Sequence, residues 1–224
     1  MQDTLCSLTF SSRLAKELQS RSHQFSVLRL ARNETLYTCG QRADHLYLAI
    51  DGWVKSTMVT RCGKSCLLDI YSRDDIIGES CLVGGSRHDT VTAMTAARLL
   101  KIPRSVFLDI VAEEQLVAEC LSFFVRRNTE QEFRITQLIT SCCEKRLARM
   151  LLYLGSRHGD EHAGNLYLRQ RISQQELSEM IGTTRSRVGY FMQRFKKFGL
   201  ISHVPNTFLA IHEQRIHAYL AEEG

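Results

Sequence analysis

Residues 78–91 read GESCLVGGSRHDTV, which gathers glycines, a carboxylate and an Arg-His pair into one short span. Main-chain amides freed by glycine, together with a guanidinium, are the groups a phosphate needs. Gly78, Glu79, Arg87 and His88 are therefore candidate ligand-holding residues, and His88 would add a donor whose charge varies near neutral pH. The simpler alternative is an internal Glu79–Arg87 ion pair that braces the segment with nothing bound.

The cysteines carry less. Eight occur, at 6, 39, 62, 66, 81, 120, 142 and 143, and no two have the Cys-x-x-Cys spacing. Cys62 and Cys66 bracket a hairpin tip with no histidine or third cysteine close by, so neither a metal centre nor a redox pair is expected there. Scattered cysteines without a signal-peptide layout fit free thiols in a reducing compartment, which points to the cytoplasm. The sequence lacks an apolar run long enough to span a bilayer, so no membrane partner is expected. No nucleophile–base constellation or metal motif argues for an enzyme.

Charge points to a different partner. Residues 1–144 hold 17 basic and 17 acidic side chains, whereas residues 145–224 hold 12 and 7. The whole excess sits in the last third, as for a surface that faces a polyanion.

That third contains SQQELSEMIGTTRSRVGYFMQRFKKFG, residues 173–199. Ser173 with Glu176 forms a capping box for one short helix. Ile181-Gly182-Thr183 is a tight turn, after which Thr184 or Thr183 caps a second helix. Two helices joined by a glycine-containing turn make a helix-turn-helix. At 100° per residue Val188, Phe191, Met192, Phe195 and Phe198 face the core. Ser186, Gly189, Tyr190, Gln193 and Lys197 lie opposite, with Arg185 at the exposed N-terminal end and Arg187 on the flank. Such side chains suit the major groove of double-stranded DNA, where arginine bonds guanine and Gln or Ser reaches bases or phosphates. Gly189 would let the helix approach closely. LISHV and FLAIH, separated by Pro205-Asn206-Thr207, form a hairpin wing.

The elements that position these groups follow from periodicity. From about 25 to 102, short runs such as LYLAI, WVKSTMVT, SCLLDIY, VTAMTA and RLLKIP alternate with turns, which suits an antiparallel sandwich or barrel. Residues 105–140 contain no glycine or proline and read as a short helix followed by a long one. Leu116, Cys120, Phe123, Phe124, Ile135 and Leu138 recur at helical spacing and form an expected dimer seam, with Arg127 and Gln131 interrupting the stripe. Residues 156–165 read as a polar loop, and residues 1–19 as a short amphipathic helix.

This order of a β region carrying Tyr47, Asp51-Gly52 and GE…SRHDTVTA, then a long helix, then EKRLARMLL (144–152) and the 173–201 stretch, resembles the cyclic-AMP receptor protein / fumarate-nitrate-reduction regulator (Crp/Fnr) family from about residue 20 to 220. The resemblance implies an α+β chain. It would comprise an N-terminal β-roll (jelly-roll) cyclic-nucleotide-binding-like sensor domain (1–110), a dimerisation helix (111–140) and a C-terminal winged helix-turn-helix (141–224). It implies a homodimer that binds a near-palindromic DNA site, adjusts transcription and meets RNA polymerase. DNA contacts would fall on Ser173, Thr184, Arg185, Ser186, Arg187, Gly189, Tyr190 and Gln193. The pocket would use Gly78, Glu79, Arg87, His88, Arg127 and Gln131, with cyclic AMP or cyclic GMP as possible ligand.

Departures from the pattern are specific. Where the cyclic-AMP receptor reads Arg-Glu-x-x-x-Arg in its second helix, this chain has Arg185-Ser186-Arg187-Val188-Gly189-Tyr190, so the preferred half-site should differ. His88 stands for the serine that follows the phosphate arginine, and the cassette is shorter. A cyclic nucleotide, another small ligand and no required ligand all stay open. So does a regulatory module that binds a cyclic nucleotide and controls a protein partner. An iron–sulfur sensor is not expected, because only Cys6 and Cys39 fall in the first 60 residues.

Overall fold

In the computed structural model, which describes residues 13–222, the chain divides into two compact units, 1–131 and 132–224.

The first unit is built on eight strands: β1 (Ser26–Leu30), β2 (Thr35–Tyr37), β3 (His45–Asp51), β4 (Val54–Val59), β5 (Ser65–Tyr71), β6 (Ile76–Ile77), β7 (Thr90–Ala93) and β8 (Ala97–Pro103). They form two antiparallel sheets, ordered β1-β8-β3-β6 and β2-β7-β4-β5. Alternation along β3 explains the layering. Tyr47 and Ala49 join Val54, Tyr71, Val91 and Leu99 in one apolar cluster, drawn from both sheets. Leu46 and Leu48 point the other way and are covered by helices. Those helices are α1 (residues 13–20), α2 (Arg104–Glu113) and the start of α3 (Val117–Thr140). Leu14, Leu18, Phe107, Ile110, Leu116 and Cys120 fill the second cluster. The part of the N-terminal helix expected over residues 1–12, with Cys6, lies outside the described residues.

Pro103 ends β8 and stands at the N-cap of α2. A proline fits that boundary because it cannot donate to a ladder and the first helical amides are unpaired anyway. The boundary between the two units falls inside α3.

The second unit holds the rest of α3, then α4 (Cys143–His158), β9 (Asp160–His162), β10 (Asn165–Leu168), α5 (Gln174–Ile181), α6 (Arg185–Lys197), β11 (Ile201–Ser202), β12 (Leu209–Ile211) and α7 (Glu213–Ala221). The four strands pair in the order β11-β12-β10-β9. One expectation changes here. Residues 156–165 are not a loop, because α4 runs on to His158 and β9 pairs antiparallel with β10. The polar β9 residues are all exposed, so no apolar alternation announced that strand. Among the described residues no helix is long and apolar enough to cross a membrane.

Candidate nucleic-acid interface and effector cassette

The helix-turn-helix forms from its local signals. Ser173 Oγ accepts from the Glu176 amide at 3.2 Å while Glu176 Oε2 accepts from the Ser173 amide at 2.8 Å, completing the capping box of α5. Gly182 ends α5 with φ 65°, ψ 48°, the left-handed conformation that residues with a Cβ avoid. Thr184 then caps α6, its Oγ1 accepting from the Arg187 amide at 3.4 Å. Val188, Met192 and Phe195 are buried and seat the helix.

The opposite side of α6 is open. Thr184, Arg185, Ser186, Arg187, Tyr190 and Gln193 are exposed, Tyr190 at 58%. Two expectations are corrected. Phe198 does not face the core; it caps α6 with 51% exposure, and the Arg194 guanidinium lies 5.5 Å from its ring. Gly189 does not turn a bare face outward. A Cβ there would meet Gln174 Oε1 at 3.1 Å, so the glycine serves the close packing of α6 on α5. Ser173 forms the expected cap, and its hydroxyl also donates to Glu176 Oε2 at 2.8 Å.

In the wing, His212 stands between Ser202 and Asn165. Its Nε2 lies 3.0 Å from Ser202 Oγ and its Nδ1 lies 2.8 Å from Asn165 Oδ1. Burial, helped by Arg215, lowers its pKa. Sequence reasoning missed this network, because Asn165 and His212 are 47 residues apart.

The cassette of the first unit is arranged differently from expectation. Glu79 opens a short 3-10 segment, Glu79–Val83, with Gly78 at its N-cap at φ 81°. Arg87 is only 2% exposed. Its Nη1 donates to the Gly78 carbonyl at 2.7 Å and its Nη2 to the His45 carbonyl at 2.5 Å. The guanidinium lies 4.2 Å from the Tyr37 ring centre and 5.7 Å from that of Tyr47. A Cβ at position 78 would come within 2.5 Å of Arg87 Nη1, so the glycine makes this approach possible.

The alternative of an internal Glu79–Arg87 pair gives way to another pairing. Glu79 Oε1 accepts from Arg127 Nη1 at 3.1 Å, and Arg127 Nη2 donates to Tyr71 Oη at 2.6 Å with Asp69 3.7 Å away. Gly78 and Glu79 thus bring together the two arginines of the expected pocket. His88 is exposed, its carbonyl accepting from Cys39 Sγ at 3.5 Å, and Gln131 is exposed on α3. Tyr37, Ser56 and Asp89 also belong to this neighbourhood: Asp89 Oδ2 accepts from Ser56 Oγ at 2.5 Å and from Tyr37 Oη at 3.3 Å. Burial, then the Asp89 carboxylate, hold the Tyr37 phenol far above its ordinary pKa. Tyr37 and Ser56 sit on β2 and β4 and Asp89 just before β7, so no local spacing in the sequence joins them.

Arg87 spends one N–H of each terminal nitrogen on a main-chain carbonyl and is buried, and Glu79 is held by Arg127, so a cyclic phosphate would compete with contacts the fold already makes.

The expected seam on α3 is corrected in part. Leu116 and Cys120 are buried in the first unit's own core, and Phe123 and Phe124 pack partly buried against it. Ile135 and Leu138 of that seam are exposed, as are Val117, Leu121, Val125, Phe133 and Ile139, the last at 80%. Leu121, Val125, Asn128, Glu132, Ile135 and Ile139 follow alternating steps of four and three, the heptad spacing. The helix has two apolar stripes, and a helical period alone does not say which one the sheet takes.

Comparison with known proteins accounts for both units. Residues 27–114 match the cyclic nucleotide-binding domain, and residues 145–215 match the Crp-like helix-turn-helix domain. The chain is 26% identical over 195 residues to a CRP-like cAMP-activated global transcriptional regulator of Mycobacterium tuberculosis, covering 86% of this chain and 87% of that protein. The chain belongs to the Crp/Fnr family. It is 25% identical to the global nitrogen regulator of Synechococcus elongatus, over 90% of this chain and 89% of that one. In fold this Crp/Fnr chain is similar to FixK2 from Bradyrhizobium japonicum, with a TM-score of 0.75 over 87% of this chain and 96% of that one, at 17% identity. It is thus a Crp-like transcription regulator with a β-rich N-terminal domain, a long helix and a C-terminal helix-turn-helix.

Proposed function

We propose that the chain acts as a homodimer that reads a near-palindromic DNA site through α6 and binds that site without added cyclic nucleotide. The observation that carries this is the division of α6. One side is buried through Val188, Met192 and Phe195, while Thr184, Arg185, Ser186, Arg187, Tyr190 and Gln193 are exposed together at and beyond its first turn. Arginines there can bond guanine or phosphate, and Tyr, Ser and Gln can reach base edges. The heptad-spaced stripe of α3 supports pairing with a second copy, its polar Asn128 and Glu132 fixing register.

Independence from cyclic nucleotide is supported by the cassette. Arg87 already has two carbonyl acceptors and two aromatic faces and is held in place with nothing bound, so a cyclic phosphate is not needed to order the cassette.

The test is selection of duplexes from a random library with purified protein, with and without cyclic AMP or cyclic GMP, followed by mobility shift. A two-fold-related motif enriched equally in all arms is expected. No enrichment in any arm would end the DNA-reading proposal. Enrichment only with a cyclic nucleotide would end the ligand-independent part.

A further inference from the structure

The described cysteines differ in setting, and Cys39, Cys62, Cys66 and Cys142 are exposed. Cys81 and Cys120 sit in the apolar core, where burial pushes their thiols up in pKa. Cys143 sits among cations. Its Sγ accepts from Arg146 Nη2 at 3.2 Å, and Arg187 Nη1 reaches it from α6 at 3.9 Å. Cys143 is half-buried, forms no disulfide, and opens α4 directly after the exposed Cys142. No part of the DNA-reading surface described above uses its thiol.

What the sulfur is joined to gives it consequence. Arg146 also donates from Nη1 to the carbonyls of Leu138 and Ser141 at 2.9 and 3.1 Å, and from Nη2 towards the Gly182 carbonyl at 3.5 Å. One guanidinium therefore ties the end of α3, the first turn of α4 and the turn between α5 and α6. Arg187 lies in the first turn of α6, among the exposed residues expected to meet DNA.

We propose that Cys143 is a site of oxidation by hydroperoxides, and that the oxidised sulfur draws Arg187 away from DNA. The sulfur attacks the peroxide: an S–O bond forms, the O–O bond breaks, and water or an alcohol leaves with the displaced proton. Sulfur loses two electrons and the peroxide gains them. The sulfenic oxygen then lies between two guanidinium groups, both able to donate to it, and charge-assisted bonds of this kind are stronger than those a thiol accepts. Cys142 is poorly placed to remove it by disulfide formation. Adjacent Cα atoms lie about 3.8 Å apart, short of the separation disulfides usually span. Arg187 held on the oxidised sulfur is lost to phosphate, so affinity falls. This effect rests on the DNA-binding reading; the modification does not.

The experiment treats reduced full-length protein with hydrogen peroxide, traps sulfenic acid with dimedone and maps the adduct by peptide mass spectrometry. The same samples are titrated onto a selected duplex. Label on Cys143 but not on Cys81 or Cys120 is expected, with affinity falling about tenfold, a difference of about 1.4 kcal/mol, and recovering with dithiothreitol in unlabelled samples. Cys143→Ser should bind DNA like reduced wild type and resist peroxide. Absence of label on Cys143 would overturn the site, and equal peroxide sensitivity of Cys143→Ser would overturn the coupling to Arg187. Label without loss of affinity would also overturn the coupling. Reduced protein that retards no duplex would instead strike the DNA-binding reading, while the label would still decide the site.

Discussion

Arg87 donates from Nη1 to the carbonyl oxygen of Gly78 at 2.7 Å, so the arginine and the first glycine of the cassette close it onto itself. An arginine that only met a ligand would contribute nothing to the free protein. Here its removal strips the His45 carbonyl of this donor and leaves the buried Gly78 carbonyl with only the Cys81 amide, at 3.2 Å. Arg87→Leu is expected to lower the stability of the nucleotide-free protein by about 3 kcal/mol, since buried bonds to a charged group contribute about 1.5–3 kcal/mol each. Urea denaturation checks this, and an unchanged midpoint would show that the closed cassette is not structural.

The two faces of α3 should respond differently to charge. Leu121→Lys or Ile139→Lys places a cation on an exposed apolar position. The fold should survive, and the sedimentation coefficient should shift to that of a monomer. Leu116→Lys places the same charge in the first unit's core, and there the unfolding transition itself should be lost. Dimers that persist in both exposed variants would place the subunit interface elsewhere.

Ser173 separates capping from DNA contact. Its hydroxyl both accepts from the Glu176 amide and donates to Glu176 Oε2, so Ser173→Ala should cost about 1 kcal/mol of stability, as other caps do. The slope of log affinity against log salt should stay as in wild type. A shallower slope would mean that the hydroxyl helps hold a phosphate after all.

Arg185 makes the complementary case. It is exposed at the first turn of α6, and Arg185→Ala should leave thermal stability near wild type. If it meets a phosphate, affinity falls for all sequences and the salt slope drops by about 1. If it bonds a guanine edge, the loss is confined to sites that carry that base. A variant that binds every duplex as wild type does would remove Arg185 from the interface.

Acid should loosen the wing through His212. Its pKa is lowered mainly by burial, so the folded chain favours the neutral ring, which bridges Ser202 and Asn165. Between the folded value and the ordinary value near 6.5, the unfolded chain binds more protons, and stability there rises with pH. The contribution is complete above about pH 6.5 and is lost as pH falls through the lowered value. The melting temperature of wild type should therefore drop more steeply between pH 7 and pH 5 than that of His212→Asn. Parallel curves would assign the acid response to other groups.

Much of the second unit was legible because its signals are local. Ser173 and Glu176 are three residues apart, Gly182 supplies the left-handed turn, and Val188, Met192 and Phe195 repeat at helical spacing. Phe198 was misread because periodicity carries no mark of where a helix stops, and the last residue escaped the core. In the first unit the strand runs were readable by alternation, as was the glycine-bounded cassette around Gly78.

By itself, then, the sequence determined the order of elements apart from β9, the capped helix-turn-helix, the basic excess of the last third and the candidate residues of the cassette. These rest on neighbours within a few residues, where chain geometry leaves little choice. Only the tertiary structure decided that Arg87 turns inward to Gly78 and His45, that Glu79 pairs with Arg127, and which stripe of α3 the core takes. Those outcomes depend on partners many residues away. A guanidinium takes whichever acceptors packing brings near, and an apolar stripe is buried by whichever surface reaches it first.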